Sequence, residues 1–130
     1  MENNFFVSDL EKRYQVDLRE RLLKFAVLTI KFVGTLPDKK EYHVFKYQLS
    51  KSVTSIGANY EEAQGAYSKA DFEAKIGICL KEARETNYFL TVLNELILSG
   101  ELNHLLKESE EIKKMFGSAL VKMRKKRSTP

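Results

Sequence analysis

The chain has 130 residues, 43% of them hydrophobic and 31% charged, with one cysteine and two prolines. That length holds one domain of ordinary size, and the apolar content is enough for a core, which excludes a disordered chain. A disulfide scaffold is excluded because Cys79 has no partner, and a low-complexity chain by the absence of any short repeat. The formal charge of +4 is unevenly placed. Lys122, Arg124, Lys125, Lys126 and Arg127 hold five of the 22 basic residues with no acid among them. Residues 1–121 are left with 17 basic and 18 acidic side chains, a near-neutral body carrying a +5 tail.

From the N-terminus onward, Met1-Glu2-Asn3-Asn4 has neither the basic nor the apolar region of a secretory signal. The most apolar stretch, Leu22 to Leu36, is broken by Lys24 and Lys31 and falls short of the ~20 residues of a membrane span. A cytoplasmic protein with no membrane partner is expected. Loops are expected at Gly34 to Asp38, Gly65 to Ser68 and Ser99-Gly100, separated by segments rich in Leu, Lys, Glu and Ala without period-2 alternation. The spacing predicts four helices, Asp9 to Val33, Lys39 to Ala66, Lys69 to Ser99 and Leu102 to Lys125. Ser8–Glu11, Asp38–Glu41 and Ser68–Asp71 have capping-box spacing, and Gly34 and Gly100 suit left-handed C-caps.

The first helix is apolar on nearly every face, from Leu22 and Leu23 through Phe25, Leu28 and Ile30 to Phe32 and Val33. Such a helix needs cover all round. In the third helix Phe72, Ile76, Cys79, Ala83, Leu90 and Ile97 form one line, and Ile78, Phe89, Val92 and Leu96 a second, about 120° away. The fourth repeats a single line through Leu105, Ile112, Phe116, Ala119 and Met123. Short loops make sequential helices antiparallel, so the fold class is all-α, an up-down-up-down four-helix bundle forming a single domain over residues 1–130 with a basic C-terminal tail at 122–130. The surplus apolar surface points to a homo-oligomer whose interface draws on Phe25, Leu28, Phe32, Ile78, Phe89, Val92 and Leu96. The competing arrangement folds the N-terminal segment, Phe5-Phe6-Val7 included, back as a lid.

On the second helix Gln48, Ser52, Ser55, Asn59 and Glu62 form a polar line that reaches towards Thr86, Asn87 and Asn94 of the third. It reads either as a binding pocket or as a satisfied polar network fixing register, and the network is the expectation. Glu101-Leu102-Asn103-His104 has the Glu-x-x-His spacing of a di-iron site, but a single copy lacks the ligands that two cations require. His43 has no acidic or cysteine partner at ligand spacing. Cys79 sits in an apolar line, and no nucleophile elbow, Walker loop or dinucleotide fingerprint occurs. The expectation is a protein that is not an enzyme and uses no cofactor or metal. The tail has a direct electrostatic use, displacing counterions from a nucleic-acid backbone, and an equally direct structural one, complementing the negative end of a helix.

Two segments are distinctive: Ser55-Ile56-Gly57-Ala58-Asn59-Tyr60-Glu61-Glu62-Ala63-Gln64-Gly65 with Ser68 to Phe72, and Leu80 to Leu90. With Gln48 they match a pattern of Gln, Ser-Ile-x-x-Asn-x-x-Glu, then Ser-x-x-Asp/Glu-Phe. Over about residues 15–123 the chain resembles the bacterial four helix bundle protein family, the 23S rRNA-intervening-sequence proteins, sometimes labelled ribosomal proteins. Where many members have Glu-Gly, this chain has Glu62-Ala63. The resemblance implies an antiparallel bundle that forms a homopentameric ring, and it carries over no catalytic residue. It extends to the accessory variability determinant of diversity-generating retroelements, a basic pentamer that binds nucleic acid; here the basic excess is confined to the tail. The expected partners are further copies of the chain and RNA or DNA, the alternative being a protein–protein adaptor with no nucleic-acid role. A small-molecule binder using the polar line is the remaining reading.

Overall fold

In a computed structural model that describes residues 17–128, the chain forms four helices: α1 Leu18–Val33, α2 Lys40–Gln64, α3 Lys69–Leu96 and α4 Gly100–Ser128. No strand occurs among the described residues. Each helix packs on its neighbour in sequence and α1 closes the bundle against α4, through the thinnest of the four seams. The expected all-α antiparallel bundle is therefore the fold. The expected start of the first helix at Asp9, the Ser8–Glu11 cap and the Phe5-Phe6-Val7 lid lie outside the described residues.

Local chemistry sets the helix ends. Asp17 caps α1 by accepting from the Glu20 N–H at 3.1 Å, satisfying one of the orphan donors of the first turn. Ser68 caps α3 by accepting from Asp71 N–H at 3.0 Å, while the Asp71 carboxylate accepts from Tyr67 N–H at 3.1 Å. The capping box expected at Asp38–Glu41 does not form. Lys39 is the N-cap of α2 and gives no side-chain hydrogen bond, and Asp38 instead bonds His43 Nε2 at 2.7 Å. The two glycines also act differently from expectation. Gly34 is right-handed, with φ −63°, and α3 ends earlier, at Leu96, with Ile97 extended at φ −138°. Ser99 then starts the next helix, its hydroxyl accepting from Leu102 N–H at 3.3 Å, so Gly100 opens α4 instead of closing α3.

The core follows the periodic lines. Phe72, Ile76, Cys79, Ala83 and Leu90 of α3 are buried, as are Leu105, Ile112 and Phe116 of α4. Leu49, Val53, Ile56, Tyr60 and Ala63 line α2, and Leu18, Leu22, Phe25, Phe32 and Val33 the inner side of α1. Tyr60 and Phe116 meet across the bundle with ring centroids 6.1 Å apart. Burying side chains of this size stabilises by about 1.5–3 kcal/mol each before ordering costs.

Candidate functional site

The polar line of α2 is divided by the structure. Ser52 is buried, and its Oγ lies 2.8 Å from Thr86 Oγ1, which is also 2.9 Å from the Glu82 carbonyl. Asn59 donates at 2.8 Å to the Ser55 carbonyl of its own helix, so both stay within α2. Glu62 is exposed and pairs with Lys75 at 3.6 Å, and Gln48 is half-buried. Asn87 belongs to a separate group between α3 and α4. Its amide donates to Ser109 Oγ and to Glu110 Oε1, both at 2.9 Å, and its oxygen accepts from Lys113 Nζ at 3.3 Å. Of the residues named from the sequence, Ser52 and Asn87 thus enter two separate small networks, each tying α3 to a neighbour, and the others do not form one continuous line with them. Ser109, Glu110 and Lys113 carry no sequence signal, because nothing in their spacing separates them from an ordinary solvated face.

A third polar link joins α1 to α4. Arg21 donates to Glu108 through Nε at 2.8 Å and Nη2 at 2.6 Å, a two-pronged pair whose side chains are about three-quarters buried. Hydrogen bonding to Glu108 holds the Arg21 pKa above its ordinary value against the opposing pull of burial. This pair stands at the thin seam, where a fixed planar fork sets register better than apolar contact does.

The apolar faces sort clearly. Phe25 and Phe32, expected at an interface, are 2% and 4% exposed and belong to the chain's own core, because they lie on the inner side of α1. The outward apolar residues of α1 are Leu23, Val27, Leu28 and Ile30, exposed by 64%, 43%, 37% and 42%. On α3, Ile78 and Leu96 are exposed, while Phe89 and Val92 are half-buried. Phe89 packs edge-on against Phe45 at 6.2 Å, which explains its partial burial.

Clefts follow the helix seams among the described residues. One, of about 430 Å³ between α1 and α4, mixes Arg21, Lys24 and His104 with Glu20 and Glu108 over Phe25. A second, of about 480 Å³ between α1 and α2, is floored by Ala26, Gly57 and Ala58 and shut at one end by the Arg19–Glu61 ion pair. A third is an open groove of about 690 Å³ with Ile30 on one side and His43, Lys46, Tyr47 and Lys51 of α2 on the other.

Burial pushes the Cys79 thiol up to about 12, and its Sγ lies 3.5 Å from the Ile56 carbonyl, so it behaves as a small core group. His104 and Glu101 are exposed on the first turn of α4, and no group of three or more His, Cys, Asp or Glu placed to hold a metal occurs among the described residues. No described helix is long and apolar enough to cross a membrane. At the other end of α4, Met123 is the last residue packed on the core, and the helix runs on through Ser128. Lys122, Arg124, Lys125 and Lys126 are exposed there, with Arg124 3.7 Å from Glu73. Arg127 continues the helical backbone, its side chain lying outside the described part.

These features define an antiparallel four-helix bundle with buried polar ties, outward apolar stripes and a basic helix end. Residues 15–118 match the family described as 23S rRNA-intervening sequence protein, and the chain belongs to that family. It is also similar to a crystal structure of a protein with unknown function from the S23 ribosomal protein family of Bacteroides thetaiotaomicron. The two are 38% identical with a TM-score of 0.70, over 78% of this chain and 96% of that one. No curated protein matches.

Proposed function

We propose that the protein is a non-enzymatic, cytoplasmic homo-oligomer that associates with RNA through the C-terminal ends of α4. The assembly is supported by the outward apolar residues of α1, Leu23, Val27, Leu28 and Ile30, four large exposed side chains on one short helix. Resemblance to the family suggests a ring of five. The observation that carries RNA association is the end of α4 around and beyond its last core contact, Met123, where Lys122, Arg124, Lys125 and Lys126 stand exposed. Several such ends on one particle act together, because binding one raises the local concentration of the next. The family description, 23S rRNA-intervening sequence protein, supports RNA as the polyanion.

Binding of a labelled structured RNA, measured across salt for the full chain and for a chain ending at residue 121, tests this reading. The full chain should bind with a steep salt dependence that the shortened chain loses in large part. Affinity unchanged by the truncation would overturn the role of the tail and favour a protein–protein adaptor.

A further inference from the structure

The tail leaves unexplained a second concentration of positive charge, on the body of the bundle. From Tyr42 to Tyr60 the chain contains no Asp or Glu, while it presents His43, Lys46 and Lys51. Those three side chains, with Tyr47, line the α2 side of the open groove between α1 and α2, whose α1 edge, Ile30, belongs to the face assigned above to the assembly; no carboxylate is among its lining residues. The α1–α4 cleft and the cleft floored by Gly57 mix cations with acids. Neither Lys46 nor Lys51 forms an ion pair among the described residues, and neither do Lys31, Lys39 and Lys40 nearby. Glu82 of α3 feels the charge of Lys51 without pairing to it. Asp38 is engaged with His43 at the edge of the groove.

Geometry distinguishes this surface from an ordinary solvated face. Lys40, Tyr47 and Lys51 follow one stripe of α2, two turns and then one turn apart. Lys40 to Lys51 spans about 17 Å along the axis, several phosphate spacings of a nucleic-acid strand. Tyr47 is 64% exposed, with Lys51 Nζ 6.0 Å from its ring centroid, so an aromatic face stands among the ammonium groups. The first turn of α2 has no side-chain cap and one acid, Glu41, next to Lys40. The groove is shallow and open, which suits an extended polymer better than an enclosed small anion.

We infer that the outer groove of α2 binds the sugar–phosphate backbone of RNA through Lys40, Lys46 and Lys51, with Tyr47 as a stacking platform for an adjacent base. This rests on the RNA reading above but places contacts on a different part of the molecule. Because α2 and α4 run in the same direction, this groove lies at the opposite end of the bundle from the α4 tail. The two basic regions can therefore be removed independently.

The test measures anisotropy of a fluorescein-labelled RNA hairpin with single-stranded flanks, at several salt concentrations, on the full chain. The Lys46→Gln/Lys51→Gln variant should bind about tenfold more weakly at ~0.1 M salt and lower the salt slope by about 1 to 2, one phosphate contact being worth ~0.7–0.9. Tyr47→Ala should lose about tenfold, and Tyr47→Phe should keep most of the affinity, since stacking needs the ring and not the hydroxyl. Unchanged affinity and slope in the lysine variant, alongside loss of binding on removing the tail, would overturn the groove and leave the tail reading intact. The reverse pattern would retain the groove and remove the tail. No binding by the unaltered chain would overturn both. The inference also fails if polyglutamate displaces the RNA as well as an equal charge of competitor RNA does, or if the lysine variant changes the mass of the particle. Those outcomes mark the groove as a site for acidic protein or for another subunit.

Discussion

Helices α1 and α3 each bury a line of apolar residues, yet the shorter α1 turns more large apolar side chains outward for its length. Along α3, Phe72, Ile76, Cys79, Ala83, Leu90 and Leu93 are buried, and its buried polar residues are bonded, Thr86 to Ser52 and Asn87 to Ser109. In α1, four large apolar side chains face outward within 16 residues. Its one buried polar residue, Thr29, has a hydroxyl without a hydrogen-bond partner among the described residues. Hydrophobicity alone therefore does not mark a core. The helix beside one partner and a thin seam exposes four large apolar residues in 16, whereas α3, held on two sides, exposes Ile78, Tyr88 and Leu96 over 28.

The sharpest way to break this contrast is to truncate an apolar residue on each helix. Phe72→Ala should cost about 3–5 kcal/mol of unfolding free energy, because the ring is enclosed and leaves a cavity. Leu23→Ser, on the outer side of α1, should leave chain stability in dilute solution within about 0.5 kcal/mol while lowering the mass of the assembled particle. Denaturant unfolding and light scattering read the two effects separately; a large loss of stability in dilute Leu23→Ser would show that α1 has no spare face.

A smaller effect concerns the polar ties. Asn87→Ala should cost about 1–3 kcal/mol, since it strips partners from Ser109, Glu110 and Lys113 in one step. Thermal unfolding checks this, and a neutral result would mean that water replaces the amide at no cost. The smallest change has the opposite sign. Thr29→Val keeps the shape of the side chain and removes the unpaired hydroxyl, so it should stabilise the chain by about 1 kcal/mol. A loss of stability there would show that the hydroxyl has a hydrogen-bond partner within the folded chain.

Much of the fold was legible in the sequence because helical periodicity reports burial directly. The α3 line from Phe72 to Leu90 is the buried line, and Ser68 caps its helix as its spacing suggested. What was not legible depends on competition between nearby groups. Asp38 has the spacing to cap α2, but its carboxylate meets His43 first, which leaves the helix start uncapped. Ser99 and Gly100 look like a stop after α3, yet the Ser99 hydroxyl serves the N–H of Leu102 and so begins α4. Phe25 and Phe32 could not be told from Leu23 and Ile30 by composition, since every face of α1 is apolar and only packing decides which is inside. The groove on α2 did have a signal, the absence of any acid between Tyr42 and Tyr60, but counting charge over the whole body as −1 hid it.

The most direct test of the account is the mass of the unaltered protein by light scattering coupled to size exclusion at micromolar concentration. A chain of 15.0 kDa whose α1 is covered by other copies should give a single particle at a whole multiple of that mass, with five the multiple expected for a ring. A homogeneous particle of one chain, stable on concentration, would contradict it.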